Sequence, residues 1–127
     1  MSDKKFATAV NCMDGRTQLP VAEFMKKMFK VDYVDMVTEA GPIKILAEFK
    51  DIPLIAGIKN RVEISVSKHH SKVVAVVGHY DCAGNPVDKQ MQLMQISEAI
   101  KKIKSRGFDV KLIGLWVDEE WKVHKVV

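Results

Sequence analysis

Apolar positions along this chain fall into two rhythms, short continuous runs and longer stretches with helical spacing. The clearest short run is Val73 to Val77, V-V-A-V-V, four of its five residues valine, ending at Gly78. It is too short for a globular helix and almost wholly β-branched, which predicts a strand buried on both faces. Phe6 to Val10 and Tyr33 to Val37 read as two earlier strands, and Val110 to Val117 as a fourth. Between them, Leu19 to Lys30 carries apolar residues close to helical spacing, with Pro20 tolerated near the first turn. Ile43 to Phe49 predicts a short helix after the turn Ala40-Gly41-Pro42. From Pro53 to about Ser67, the recurrence of Leu54, Ile55, Ile58, Val62 and Val66 predicts a crossover helix. His69 and His70 then fall at its C-terminal end, where a cation complements the helix dipole, and are read as a surface pair. Met91, Met94, Ile96, Ala99, Ile100 and Ile103 mark another amphipathic helix, closed by Arg106-Gly107. Asp118-Glu119-Glu120 is a turn signal, and the alternation from Trp121 to Val127 predicts an antiparallel edge strand.

Strands alternating with helices imply a mostly parallel sheet with right-handed crossovers, an α/β fold in a single domain spanning residues 1–127. With strand order 2-1-3-4 and the last strand at the edge, strands one and three are neighbours whose helices leave on opposite faces. Their carboxyl ends then form the topological switch point, the usual place for a site in an open α/β sheet. Both cysteines belong there. Cys12 follows the first strand and opens Cys12-Met13-Asp14-Gly15-Arg16, while His79 and Cys82 follow the central strand in Gly78-His79-Tyr80-Asp81-Cys82.

Composition narrows the class. Apolar residues at 47% and charged ones at 28% suit one compact domain large enough for its own core. There is no repeat, no low-complexity tract and no apolar run of membrane-spanning length. Met1-Ser2-Asp3-Lys4-Lys5 runs straight into a strand without a signal-type segment, so a cytoplasmic protein is expected. In that compartment two cysteines at strand ends are reduced thiols available to metal rather than a disulfide. The net charge of +4 is spread along helix faces without the basic-aromatic clustering of a nucleic-acid binder.

Two thiolates and an imidazole are ligands that zinc prefers, and three protein ligands with an open fourth position is the catalytic arrangement. Cys12, His79 and Cys82 are therefore the candidate metal ligands, for one zinc ion per chain. Asp14 and Arg16 stand beside them as a carboxylate able to orient water and a guanidinium able to hold that carboxylate by a bidentate contact.

The two motifs resemble the fingerprint of the β-class carbonic anhydrases, C-x-D-x-R followed much later by G-H-x-x-C. Cys12, Asp14, Arg16, Gly78, His79 and Cys82 match it position for position. Asp35 to Gly41 is similar to the family's strand and Ala-Gly turn, and Gly114 to Asp118 to its late strand. Three departures stand out. Thr38-Glu39 occupies the place of the usual Arg-Asn, Ala83 follows the second cysteine where glycine is usual, and the N-terminal helical arm is missing along with most of the helical segment before the last strands.

The resemblance implies zinc-dependent, reversible hydration of carbon dioxide to bicarbonate. Zinc would supply hydroxide as nucleophile, the catalytic pair Asp14 and Arg16 would orient it, and a homodimer would close the open sheet edge. Hydrolysis of carbonyl sulfide or carbon disulfide is the enzymatic rival, and a zinc- or anion-binding module without turnover is the rival of another class. A dithiol redox pair leaves His79, Asp14 and Arg16 without a task. Low-molecular-weight phosphatase chemistry fails on spacing, since Arg16 follows Cys12 by four residues and no arginine lies near Cys82.

Overall fold

A computed structural model describes residues 3–127; of the N-terminal stretch read as running into a strand, Met1 and Ser2 lie outside the described residues. Five strands and four helices follow in the order β1 (Phe6–Cys12), α1 (Gly15–Phe29), β2 (Tyr33–Glu39), α2 (Pro42–Glu48), α3 (Ile52–Lys68), β3 (Val73–His79), α4 (Lys89–Lys104), β4 (Lys111–Val117) and β5 (Val123–Lys125). The sheet order is β2-β1-β3-β4-β5, with the first four strands parallel and β5 antiparallel to β4. The expected order and the antiparallel edge are both present.

The short apolar runs are strands because both of their faces are covered. In β3, Val74 and Val76 pack with Val10 of β1, Ile43 of α2, Ile58 and Val62 of α3, and Ile96 and Ile103 of α4. Val73, Ala75 and Val77 point the other way, toward Val21 and Met25 of α1 and toward Ile113 and Leu115. All seven residues of β3 are buried, so no polar alternation was available to mark it. Helix α1 leaves β1 on one face and α4 leaves β3 on the other, which opens the crevice between their carboxyl ends.

Two boundaries and one buried face differ from expectation for local reasons. Helix α1 begins at Gly15, before the apolar period becomes visible, because the Asp14 side chain caps it by accepting the Arg16 N–H at 2.9 Å. The last strand is cut to three residues because Asp118 gathers the chain into a turn. Its Oδ1 accepts the N–H groups of Glu120 and Lys122, and Trp121 adopts a left-handed φ of 62° before the chain extends again. On α4 the inner stripe is Gln92, Ile96, Ala99 and Ile103, while Met91 and Met94, expected inside, are exposed. A glutamine sits where apolar spacing placed a methionine, and its reason lies in the site below.

Two glycines let loops meet beneath that site. Gly41 has a φ of 65°, and a Cβ there would come within 2.9 Å of the Gly84 carbonyl oxygen. A Cβ on Gly84 would stand 2.7 Å from the Ala40 carbonyl carbon, which is backbone and cannot rotate away. Gly84→Ala should therefore lower stability by about 1–3 kcal/mol, the usual cost of forcing atoms into a packed contact; a thermal unfolding midpoint equal to wild type would contradict this packing.

Candidate metal centre

The ends of β1 and β3 bring Cys12, His79 and Cys82 together. Cys12 and His79 are the last residues of their strands, and Cys82 lies three residues on, in a turn that folds back. All three are buried, and their ligand atoms lie within 4.8 Å of one another. The two sulfurs are 3.8 Å apart and both cysteines are free. Two sulfurs each about 2.3 Å from a tetrahedral metal stand about 3.8 Å apart, so this spacing suits two ligands better than a covalent bridge.

The imidazole gives the second sign. His79 Nδ1 donates to the Tyr80 carbonyl at 2.7 Å, which leaves Nε2 with the lone pair. That Nε2 is buried without a hydrogen-bond partner among the described residues. A buried polar atom left unpaired costs stability unless something occupies it, and this one faces two thiols. Its backbone is held as firmly. Gln92 accepts the His79 N–H at 3.1 Å through Oε1 and donates to the His79 carbonyl at 2.9 Å through Nε2. This explains the glutamine in the inner stripe of α4.

The surroundings keep negative charge on sulfur. The Cys82 thiol donating to Cys12 is the main reason the Cys12 pKa falls to about 4, against the opposing effect of burial, with His79 and the N–H groups of Gly41 and Asp14 adding to it. The same contact and burial push Cys82 up. For His79, burial acts downward and is outweighed by the adjacent Cys12 sulfur and the Tyr80 carbonyl, so its pKa rises. Two sulfurs and a nitrogen lone pair at this spacing can hold a metal ion.

Asp14 and Arg16 lie at the rim. Arg16 grips the carboxylate from two sides, Nε to Oδ1 at 3.0 Å and NH2 to Oδ2 at 2.7 Å, and Asp14 Oδ2 stands 4.0 Å from His79 Nε2. The Arg16 hydrogen bonds are the main reason the Asp14 pKa falls to about 2, so the carboxylate is ionised throughout the neutral range. Arg16 is in turn held by Asp81, through its carboxylate at 3.3 Å and its carbonyl at 3.1 Å, and by the Trp121 ring, 4.4 Å from the guanidinium carbon. Gln18 pins the turn by donating to the Cys12 carbonyl at 2.7 Å.

Asp81, Trp121, Gln92 and Gln18 were missed in the sequence. Only Gln92 left a signal there, as a polar residue in register with Ile96 and Ile103. Gln92→Leu should strip His79 of both clamps and cost about 2 kcal/mol, the order expected for buried groups left unpaired, and metal affinity should fall with it. Unchanged urea unfolding together with unchanged affinity in a competition titration would show that the clamp positions nothing.

A family model described as "Putative carbonic anhydrase" matches residues 2–127. Among solved structures, the β-carbonic anhydrase isoform I of the protozoan Trichomonas vaginalis superposes with a TM-score of 0.63 at 13% identity, covering 100% of this chain and 86% of that one. A mutant of the β-carbonic anhydrase CafD of the fungus Aspergillus fumigatus gives 0.60 at 10% identity, covering 99% and 91%. One of two tetrameric β-carbonic anhydrases from the ascomycete Sordaria macrospora gives 0.54 at 11%, covering 99% and 82%. No curated protein sequence matches the chain. At these identities the likeness to solved structures speaks for the fold alone, but the family match runs from residue 2 to the last residue, and the chain belongs to the carbonic anhydrase family that it describes.

Proposed function

We propose that the chain binds one zinc ion through Cys12, His79 and Cys82 and hydrates carbon dioxide reversibly to bicarbonate. The observation that carries this reading is an ionised Asp14 carboxylate held 4.0 Å from the unpartnered Nε2 of a buried histidine. Zinc bound there supplies a Lewis acid that makes water a nucleophile near neutral pH. The rest is the work of the chain. Asp14, acceptor-only when ionised, takes a hydrogen bond from water at the open side of the corner and turns its lone pair toward the substrate carbon. With a pKa of about 2 it orients the water and does not carry the proton away. Arg16 fixes both carboxylate oxygens and so keeps Asp14 from turning inward as a ligand. Asp81 and Trp121 hold Arg16 from its far side.

Assembly into homo-oligomers is part of the same reading. The Sordaria neighbour is tetrameric, and β2 is an edge strand that begins at the exposed Tyr33, with the exposed Leu19 of α1 beside it. A solution mass of one chain by light scattering would argue against it. A cytoplasmic location fits the reduced thiols; among the described residues no helix is long and apolar enough to cross a membrane.

Elemental analysis should find one zinc per chain in the wild type and a severe loss in Cys12→Ser, His79→Ala and Cys82→Ser. Chelation should lower the unfolding midpoint, since binding energy at such a site is also folding energy. Zinc retention should weaken as pH falls, because protons compete for the two sulfurs and the imidazole. Full zinc in Cys82→Ser would remove the ligand assignment.

Arg16→Ala should keep zinc near one per chain while stopped-flow hydration drops on the order of 100-fold, the scale of a lost positioning contact. Wild-type hydration in Arg16→Ala would make the pair architectural. A wild type with full zinc and no hydration of carbon dioxide would favour the binding-module reading.

A further inference from the structure

The opposite end of the sheet, where β1, β3 and β4 begin, holds a cavity of about 610 Å³ to which carbon dioxide hydration gives no task. A seven-residue strand separates its two ends by about 20 Å, so this cavity is distinct from the corner at Cys12. Each strand entering it brings a cation: Lys5 precedes β1, Lys72 precedes β3 and Lys111 opens β4. Among the described residues no carboxylate lines it, and its apolar wall includes Phe6 and Phe29.

A supported imidazole completes the lining. His69, the residue after α3, stacks on Phe6 with ring centroids 4.1 Å apart and planes 25° from parallel. Its Nδ1 meets Asp35 Oδ2 at 2.6 Å, and Ser65 Oγ donates to the same oxygen at 2.7 Å. Ser65 Oγ lies 2.6 Å from Thr8 Oγ1, which lies 2.7 Å from Ser71 Oγ, so the three hydroxyls form one contiguous polar chain. Those three hydroxyls are buried. Buried polar chains rigidify what they hold, and here the chain ends on a carboxylate that fixes one nitrogen of His69, leaving Nε2 on the opposite side of the ring. A histidine that only closed a helix would need none of this support.

We propose that this cavity binds a small aromatic anion, a planar ring bearing a phosphate, of about the size of a nucleoside monophosphate. Its volume falls in the range of small-molecule sites. Lysines serve phosphate as point charges, and the side of the His69 ring turned away from Phe6 serves a ring. An inorganic anion would leave the outer side of the His69 ring without a partner, and a neutral ring would bring no anion to a lining that includes Lys5, Lys72 and Lys111.

The test is titration of the purified chain with adenosine monophosphate, adenosine and inorganic phosphate at fixed ionic strength, followed by amide chemical shifts and calorimetry. The nucleotide should bind at least tenfold more tightly than either part and shift Phe6 and Val73. Lys72→Glu combined with Lys111→Glu, both exposed positions, should weaken it at least tenfold, as should Asp35→Asn, whereas Arg16→Ala should leave it unchanged. The proposal falls if the nucleotide does not bind at millimolar concentration, if inorganic phosphate binds as tightly, or if the charge-reversed variant binds like wild type. None of these outcomes bears on zinc content or hydration, so the two readings stand or fall separately.

Discussion

Parallel pairing of β1 with β3 is the constraint on which the carboxyl end of the sheet depends. Thr8, Ala9 and Val10 face Val74, Ala75 and Val76 in register, and that alignment carries both strands to their ends side by side. Side chains alternate along a strand, so a slip of one residue would turn Cys12 or His79 to the wrong face. The register is locked by burial on both faces, because either slip would also exchange the two apolar layers. Core packing and site geometry are thus one requirement, met by the same valines and alanines.

Much of this was legible in the sequence because the strands are short, uniformly apolar and ended by chemistry. Five valines and alanines before Gly78-His79 have no other home than a doubly covered strand, and Gly78 itself has no room for a side chain, since a Cβ there would meet Gln92 Oε1 at 2.9 Å. The illegible parts are those in which a residue acts across the fold. Trp121 reaches Arg16 because Asp118 organises a turn that no alternation pattern encodes. The departure at Thr38-Glu39 belongs here too: Arg61 of α3 pairs with the Glu39 carboxylate and donates to the Thr38 carbonyl, so these positions are tied to a neighbouring helix.

The two ends of the sheet are supported by different physics. At the carboxyl end, side-chain amides and loop N–H groups fix soft donors, and the arrangement leaves one nitrogen deliberately short of a partner. At the amino end, buried hydroxyls fix a carboxylate and through it an imidazole, within a lining of lysines. Parallel sheets supply both sites without cost to the core, because each strand contributes its side chains to the layers and only its termini to the crevices.

Asp14 is both the cap of α1 and the partner of Arg16, and its Oδ1 takes part in both. Rotation of that carboxylate toward the thiols would break the cap, at roughly 1 kcal/mol, and would leave the first turn of α1 to fray. Movement at the metal corner is therefore coupled to the order of a helix terminus, through the Arg16 amide that the Asp14 side chain caps. A helix end that ordinarily only starts a secondary structure would then act as a spring holding the corner open.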